Sequence, residues 1–559
     1  MDHAHVAVRT AGQVLVDSLV AAGIDRVFCV PGESYLGLLD ALYGRDDIDT
    51  VVCRHEAGAG FMALADARLT HRPGVACVSR GPGASNAAIA VHTAQQDAVP
   101  FLLLVGQVAA RDLRRDAFQE VDYQRMFGGI AKWVTEITDP ARIGETMLRA
   151  LQVATTGTPG PVVVALPEDV LTAATNARVA DARVADARIA DARIADARIA
   201  APQATVRAAP AEADLDLLRT WLGQAQRPLV LAGSAMQQHT AALHSFLEAW
   251  NLPLLVSFRR QDLFDNRHRL YAGDMGLSNP ATQMHALHRA DLLLVLGARL
   301  SDITTQGYTF PSAATRLVHV HPDPAAIGTH FPTHLAIACH PAALLDALEP
   351  FATPPARDAW LAQLAAERRR LAAPRQSKAA DGVPFEDVVD IVGRTLPEDG
   401  ILTLDAGTFA APAYRIIPFR PPQRLLAPIA GSMGFGVPAA VAAALRCPGR
   451  PVICMVGDGG FLMTGNELAV AMERRLPLKV IVSVNGSYGS IRINQERAFP
   501  GRVIGTGLTN PDFALIGQAF GFPVVQIRTR DDLQDLPGHL QAPGPTFIVV
   551  TSSLAAVLP

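Results

Sequence analysis

The sequence predicts an α/β protein built from three doubly wound parallel-sheet domains. Three observations carry this expectation. Short, unbroken apolar runs alternate with Ala-rich stretches of helical length, the runs end on Gly, Pro or Asp, and the whole pattern restarts twice within 559 residues. Strands with no polar face need helices on both sides of their sheet, and alternation with helices makes the connections parallel crossovers. Three units of about 150–180 residues fit this length.

The first unit, residues 1–174, runs through "RVFCV" to Pro31-Gly32 and through "GVACVSR" to Gly81-Pro82-Gly83. It continues with "PFLLLVGQV" and "GPVVVALP". Residues 175–209 form a linker that contains a tandem pentapeptide, "ARVADARVADARIADARIADARIA", at 177–200. On a helix each repeat turns its Ile or Val by roughly 140°, so the apolar residues spiral and make no stripe. On a strand the odd period flips face at every repeat. A solvated connector is expected; an exposed helix laced by Arg–Asp pairs is the alternative. The middle unit, 210–350, carries "RPLVLAGSA", "LPLLVSF", "ADLLLVLGARL" and "TRLVHVHPDP". A second linker, 351–383, includes a polar helix expected to end at Pro374. The third unit, 384–559, carries "GILTLDAG", "RPVICMVGDGG", "LKVIVSVN" and "PTFIVVTSS".

Composition excludes some functions. A net charge of −4 argues against a nucleic-acid footprint, which needs a clustered basic surface. The six cysteines sit mostly in apolar runs with no CxxC spacing, so they are expected to be reduced core residues. No uncharged apolar run spans a bilayer, and "MDHAHVAVRT" lacks the regions of a signal peptide. The expected location is the cytoplasm.

The third unit holds the most specific motif. A buried strand ends at Gly457-Asp458-Gly459-Gly460, and a second ends at Asn485, 26 positions after Gly459. If the two strands are neighbours, Asp458 and Asn485 share the carboxyl rim where such sheets bind ligands. Their oxygens, with a turn carbonyl, suit Mg²⁺ or Ca²⁺, and phosphate oxygens would complete the shell. The glycines let backbone N–H groups approach a diphosphate. Between the strands, Thr464 followed by Glu467 reads as a capping box that opens a helix.

On this motif the chain resembles the thiamine-diphosphate-dependent enzymes, specifically their acetolactate synthase-like branch. The resemblance implies pyrimidine-binding, central and diphosphate-binding domains in chain order. It implies that Asp458, Asn485 and the Ser487 carbonyl bind Mg²⁺, and that "NGSYG", with Tyr488 and Gly489, wraps the diphosphate. The family usually has a second Asn where this chain has Gly486. In the first unit, "RHEAGAGFMA" resembles the segment that carries the family's essential glutamate, which implies a catalytic Glu56 beside the aminopyrimidine. Ala57, Gly58, Ala59 and Gly60 leave room there for a ring. Gly32, Gly83 and Asn86 are implied to line the same cofactor. "APIAGSMGFGVPAA" matches the segment that presses an apolar side chain between the two rings, offering Met433 beside Ser432. Gly407 and Thr408 of "LDAGTF" fall where the family contacts the diphosphate. The resemblance also implies a homodimer or tetramer with active sites at the subunit interface.

The implied reaction is decarboxylation of a 2-oxoacid and transfer of the resulting carbanion equivalent to a carbonyl acceptor. "SRGPGASN", "VGQV", "DAFQE" and "AKW" all resemble acetolactate synthase segments, which implies a catalytic Gln119 and a pocket that includes Phe118 and Lys132. The first unit lacks the adjacent His pair of aldehyde-releasing decarboxylases, which favours carboligation. Three departures bear on the acceptor. Glu168 stands where the synthases carry an entrance lysine, Asn494 where they carry a selective tryptophan, and "AGTFAA" lacks their glutamine and histidine. An acid at the entrance is expected to repel anionic acceptors. Another donor, or a cofactor-binding but idle subunit, is the alternative. The family's central domain binds FAD in the synthases, but "VLAGSA" is no G-x-G-x-x-G fingerprint, so FAD is the less favoured expectation here.

Overall fold

A computed structural model describes residues 9–179, 208–353, 355–375, 377 and 379–558. Residues 180–200 of the pentapeptide repeat lie outside the described residues. Three six-stranded sheets, parallel throughout, form the frame. The first contains β1 (Arg26–Cys29), β2 (Asp49–Val52), β3 (Gly74–Val78), β4 (Phe101–Gln107), β5 (Trp133–Glu136) and β6 (Pro161–Pro167) in the order 2-1-3-4-6-5. The second contains β7 (Pro228–Ala232), β8 (Leu254–Val256), β9 (Tyr271–Asp274), β10 (Leu292–Leu296), β11 (Arg316–Val320) and β12 (Leu335–Ile337) in the order 9-8-7-10-11-12. Counted within that sheet, this is the 3-2-1-4-5-6 order of dinucleotide-binding folds. The third contains β13 (Ile401–Leu404), β14 (Arg424–Leu426), β15 (Val452–Gly457), β16 (Lys479–Val484), β17 (Val524–Ile527) and β18 (Thr546–Thr551). Its order, 14-13-15-16-18-17, repeats that of the first sheet.

The central strands are buried along their whole length, as runs with no polar face require. All six cysteines are free, and five are buried. Among the described residues, no helix is long and apolar enough to cross a membrane.

The chain divides into two compact units. The first joins residues 1–206 to 430–448 and 462–476; the second holds 207–429, 449–461 and 477–559. In the first unit, helix α1 (Glu56–Thr70) leaves β2 and is buried from Ala57 to Arg68. Helix α2 (Pro82–Asp97) crosses it so closely that a Cβ at Gly60 would stand 2.3 Å from the Ala90 Cβ. The other side of α1 is covered by α3 (Gly436–Arg446), whose run of Val and Ala allows the approach. Phe61 and Phe435 meet edge to face at 5.6 Å. Arg446 clasps Asp66 of α1 and Asp25 with paired hydrogen bonds of 2.7–3.0 Å, and the clasp lowers the Asp25 pKa. Asp25 is half-exposed, so only the Arg446–Asp66 half of the clasp is a buried pair, for which losing one partner costs about 3–5 kcal/mol.

In the second unit, the segment read as the second linker carries helix 358–372. Trp360, Leu361 and Leu364 are buried on the middle sheet, and the Trp360 indole N–H donates to the Pro228 carbonyl at 2.9 Å. Arg357, just before this helix, donates to the carbonyls of Trp250 and Leu222.

Candidate active site

In doubly wound sheets, ligands bind where the strand order reverses, beyond the carboxyl ends. In the first sheet that point lies between β1 and β3. The loops after these strands touch: a Cβ at Gly32 would stand 2.6 Å from the Ser79 Cβ. Glu56 opens α1 at the same rim, with His55 as its N-cap accepting the Ala57 N–H through Nδ1 at 3.1 Å. The small residues after Glu56 offer its carboxylate no side-chain partner; Asn86 of α2 does, donating from Nδ2 to Oε2 at 2.9 Å. A Cβ at Gly83 would lie 3.3 Å from Glu56 Oε1. One carboxylate oxygen is thus held, and the other faces a place kept small.

Gly81 has φ +51°, and a Cβ there would meet the Gln119 carbonyl at 2.7 Å. Its N–H donates to the Tyr123 hydroxyl at 3.1 Å. Gln119 itself is left-handed, as are Arg114 and Asp116 in the same loop. Glu120 fastens this loop by accepting the N–H groups of Arg114 and Ala117. Gln119 therefore stands against the loop that leads into α2, the helix of Gly83 and Asn86, while Phe118 beside it is 73% exposed. Glu168 begins a short helix after β6, and its Oε2 meets Arg80 Nη1 at 3.2 Å. Arg80 Nη2 reaches Glu33 Oε1 at 3.5 Å, while its buried Nε has no partner among the described residues.

Lys132 does not join this site. It precedes β5, at the amino edge of the sheet, and Nζ donates to the carbonyls of Thr156 and Thr158 at 2.7 and 2.8 Å. Parallel strands put their starts on the rim opposite Glu56, so the pocket assignment of Lys132 is corrected.

Ser432 and Met433 belong to the first unit. The Ser432 hydroxyl lies 2.7 Å from that of Thr93, and the Ala430 N–H donates to Asp97 at 2.7 Å. Met433 is half-buried. Gly434 has φ +85° and packs on Thr464. Thr464 does open a helical turn, Gly465–Glu467, as its N-cap, but the side-chain bonds of a capping box do not form. The helix after β15, α4 (Asp458–Thr464), begins at Asp458 and ends at Thr464, whose hydroxyl donates to the Gly434 carbonyl at 2.5 Å. Glu467 turns away from Thr464 and accepts the backbone N–H groups of Arg54 and His55.

In the second unit, β15 and β16 are parallel neighbours with Gly457 opposite Ser483, so Asp458 and Asn485 do share one rim. Asp458 is 3% exposed. Its Oδ1 accepts the Gly459 N–H at 2.9 Å, and Oδ2 accepts Asn485 N–H at 3.1 Å, Gly486 N–H at 2.8 Å and Asn510 Nδ2 at 2.9 Å. Asn485 Oδ1 accepts the Ser487 N–H at 3.0 Å. Gly486 has φ +62°, a conformation that Gly and Asn both tolerate, which accounts for its replacing an Asn. Gly489 approaches Thr408, where a Cβ would stand 2.8 Å from the hydroxyl. A Cβ at Gly460 would press on Asp405, and Gly407 and Gly457 both pack on Phe409. Tyr488 precedes α5 (Gly489–Ala498), on which Asn494 is exposed.

The donors here suit a hard cation. Among the described residues, no three His, Cys, Asp or Glu side chains gather, so a metal would need amide and carbonyl oxygens beside Asp458. The Ser487 hydroxyl and Asn510 Oδ1 are buried without partners among the described residues, and the Ser487 carbonyl accepts one bond, from Gly489, at 2.8 Å. Asn510 escaped the sequence reading; the Asn-Pro turn signal at 510–511 marks a loop but no partner.

The middle sheet lacks a comparable cradle at its first glycine. A Cβ at Gly233 would stand 2.3 Å from the Gly297 carbonyl, and one at Gly297 would stand 2.4 Å from the Ala235 Cβ. These glycines let the two strand-end loops touch.

Family models bear on all three sheets. Residues 9–126 match the N-terminal TPP binding domain of thiamine pyrophosphate enzymes, 215–348 the central domain, and 405–550 the C-terminal TPP binding domain. The chain belongs to the thiamine pyrophosphate enzyme family. Relatives of this thiamine pyrophosphate enzyme include the acetolactate synthase large subunit of Parasynechococcus marenigrum, 31% identical over 96% of this chain and 86% of the relative. The acetolactate synthase isozyme 2 large subunit of Escherichia coli is 30% identical over 96% and 95%. A probable 2-ketoarginine decarboxylase, AruI, of Pseudomonas aeruginosa is 32% identical over 98% and 94%. The coenzyme of this thiamine pyrophosphate enzyme is thiamine diphosphate, and its class is acetolactate synthase-like.

Proposed function

We propose that the protein decarboxylates a 2-oxoacid and joins the remaining acyl group to a carbonyl acceptor. One observation carries the reading: the first and third sheets, with the same strand order, each present an oriented carboxylate at the carboxyl rim, Glu56 after β2 and Asp458 after β15. Thiamine diphosphate supplies the carbon nucleophile for such chemistry, and the protein supplies orientation and electrostatics. Glu56, held through Oε2 by Asn86, offers Oε1 for a hydrogen bond to the aminopyrimidine. Asp458, Asn485 and the Ser487 carbonyl hold Mg²⁺, and the N–H groups around Gly459, Gly460 and Gly489 take the diphosphate. Gly32 and Gly83 keep space beside Glu56, Ser432 and Met433 support the rings, and Gly407 and Thr408 border the phosphates. Gln119 and Phe118 face the substrate. Asn494 borders the acceptor.

Glu56 and Asp458 belong to different units, and we propose a homodimer or tetramer in which two chains complete each site. The proposed domain limits are 1–174, 210–350 and 384–559, and the proposed location is the cytoplasm. No flavin is proposed for the central domain, because Gly233 and Gly297 are used by loop contact. The visible spectrum of purified protein tests this.

Glu168 does not stand alone as an entrance acid, because Arg80 answers part of its charge. Arg80 is still shared between two carboxylates, Glu33 and Glu168. That favours a second reading of the donor: a 2-oxoacid with a cationic end, as the name of the Pseudomonas relative suggests. The test is CO2 release from neutral, anionic and guanidinium-bearing 2-oxoacids, with thiamine diphosphate, Mg²⁺ and carbonyl acceptors, followed by product mass. The expected result is release from at least one 2-oxoacid with a ligated product. CO2 release without ligation would favour the decarboxylase reading, and no release with coenzyme bound would favour an idle subunit.

A further inference from the structure

Glu467 is fully buried, yet no catalytic motif claims it. Its Oε1 accepts the backbone N–H of His55 at 2.9 Å and of Arg54 at 3.1 Å, and Oε2 also accepts the Arg54 N–H at 3.1 Å. These are the last two backbone donors before Glu56. Gly58, in the first turn of α1, lets the carboxylate come this close: a Cβ there would stand 2.3 Å from Glu467 Oε1. Both partners lie in the first unit, although 412 residues separate Glu467 from His55. A carboxylate thus binds the approach to α1 from outside the helix and fixes where Glu56 begins.

We propose that Glu467 is a positioning residue for Glu56, acting through the Arg54–His55 backbone and able to do so only while it is ionised. An ionised acceptor makes hydrogen bonds roughly twice as strong as a neutral one. Protonation removes that advantage and loosens the segment that carries Glu56. Burial raises the Glu467 pKa to about 7, against the lowering effect of the two N–H donors. The facing groups are Arg54, which lowers it, Glu56, which raises it, and the buried Cys53 thiol. His55 is engaged with Ala57 N–H, Glu473 ion-pairs Arg54, and the charged residue of α3, Arg446, is occupied by Asp25 and Asp66. The sign follows: the hold is present above the folded pKa and fades as pH falls through about 7.

The inference rests on the proposed role of Glu56, so two sets of variants are needed. Glu56→Gln should remove turnover at every pH; if it does not, that role fails. With that role standing, kcat of the unaltered holoenzyme should fall from about pH 8 to about pH 6, the range a neutral-pKa group controls. Glu467→Gln should lower kcat at about pH 8 by roughly 10- to 100-fold, the cost of a misplaced catalytic group, and should abolish the acid limb. Glu467→Asp should restore the limb and part of the rate. A Glu467→Gln enzyme that keeps the parental limb overturns the proposal, as does a Glu467→Asp enzyme indistinguishable from Glu467→Gln. If Glu467→Gln does not fold, the Asp variant decides alone: a parental rate and profile would overturn the proposal.

Discussion

Replacing Asp458 with Asn tests the metal and diphosphate site most directly. The carboxylate receives four hydrogen bonds, three of them at Oδ2 from Asn485, Gly486 and Asn510. An asparagine can present its oxygen to those three donors, which leaves its amide facing the Gly459 N–H. One bond to a charged acceptor is then lost and one donor stranded, so the ligand-free protein should lose about 1–3 kcal/mol. The effect on the ligand is separate. At a thiamine diphosphate concentration of about 100 Kd with excess Mg²⁺, the parent should gain about 2.7 kcal/mol of stability. If losing the charged ligand weakens binding about 100-fold, the variant at that concentration gains only about 0.4 kcal/mol. Thermal melts of both proteins, with and without coenzyme and Mg²⁺, measure both quantities. A variant that melts lower alone yet shows the full coenzyme-induced rise in Tm would refute the assignment of Asp458 to the metal.

Other outcomes follow from the same geometry. Glu56→Gln should abolish turnover while equilibrium dialysis still finds bound thiamine diphosphate; normal turnover would remove Glu56 from the chemistry. Glu168→Lys breaks the pair with Arg80 and reverses the rim charge, so the kcat/KM ratio of an anionic to a cationic 2-oxoacid should rise at least about tenfold, equivalent to about 1.4 kcal/mol. An unchanged ratio would mean that the rim does not read substrate charge. Lys132→Met should leave kcat and KM unaltered, because its ammonium serves the carbonyls of Thr156 and Thr158 at the far edge of the sheet.

The parts of the molecule legible in the sequence are those encoded locally. A buried run that ends in Gly457-Asp458-Gly459 and another that ends at Asn485 each announce a strand and its exit, and the parallel pairing of β15 with β16 brings the two ends together. Glu56 is singled out by the resemblance of "RHEAGAGFMA" to a family segment; a carboxylate at a strand exit reads by itself as a solvated or capping group. What escaped depends on pairing across distance. Nothing near Asn510 shows that it reaches Asp458, 52 residues earlier. Thr464 and Glu467 have the spacing of a cap, but helix α4 starts before them and tertiary partners claim both side chains. Lys132 was misplaced because a resemblance in spacing does not say which end of a strand a residue occupies. Arg80, hidden inside a glycine-rich loop motif, gave no sign that it would meet Glu168.

The clasp of α3 on α1 has a practical consequence for dissection of the protein. Phe61 and Asp66 take their partners, Phe435 and Arg446, from a stretch encoded more than halfway along the chain. A recombinant fragment ending near residue 206 would leave one flank of α1 bare and would take from Asp66 its closer guanidinium, Arg446, leaving only Arg26 at 3.6 Å. Such a piece is expected to be insoluble when expressed alone, and co-expression with a polypeptide that supplies 430–476 should recover it. Autonomy in this molecule follows the packing, and the linear order of the gene is a poor guide to where it can be cut.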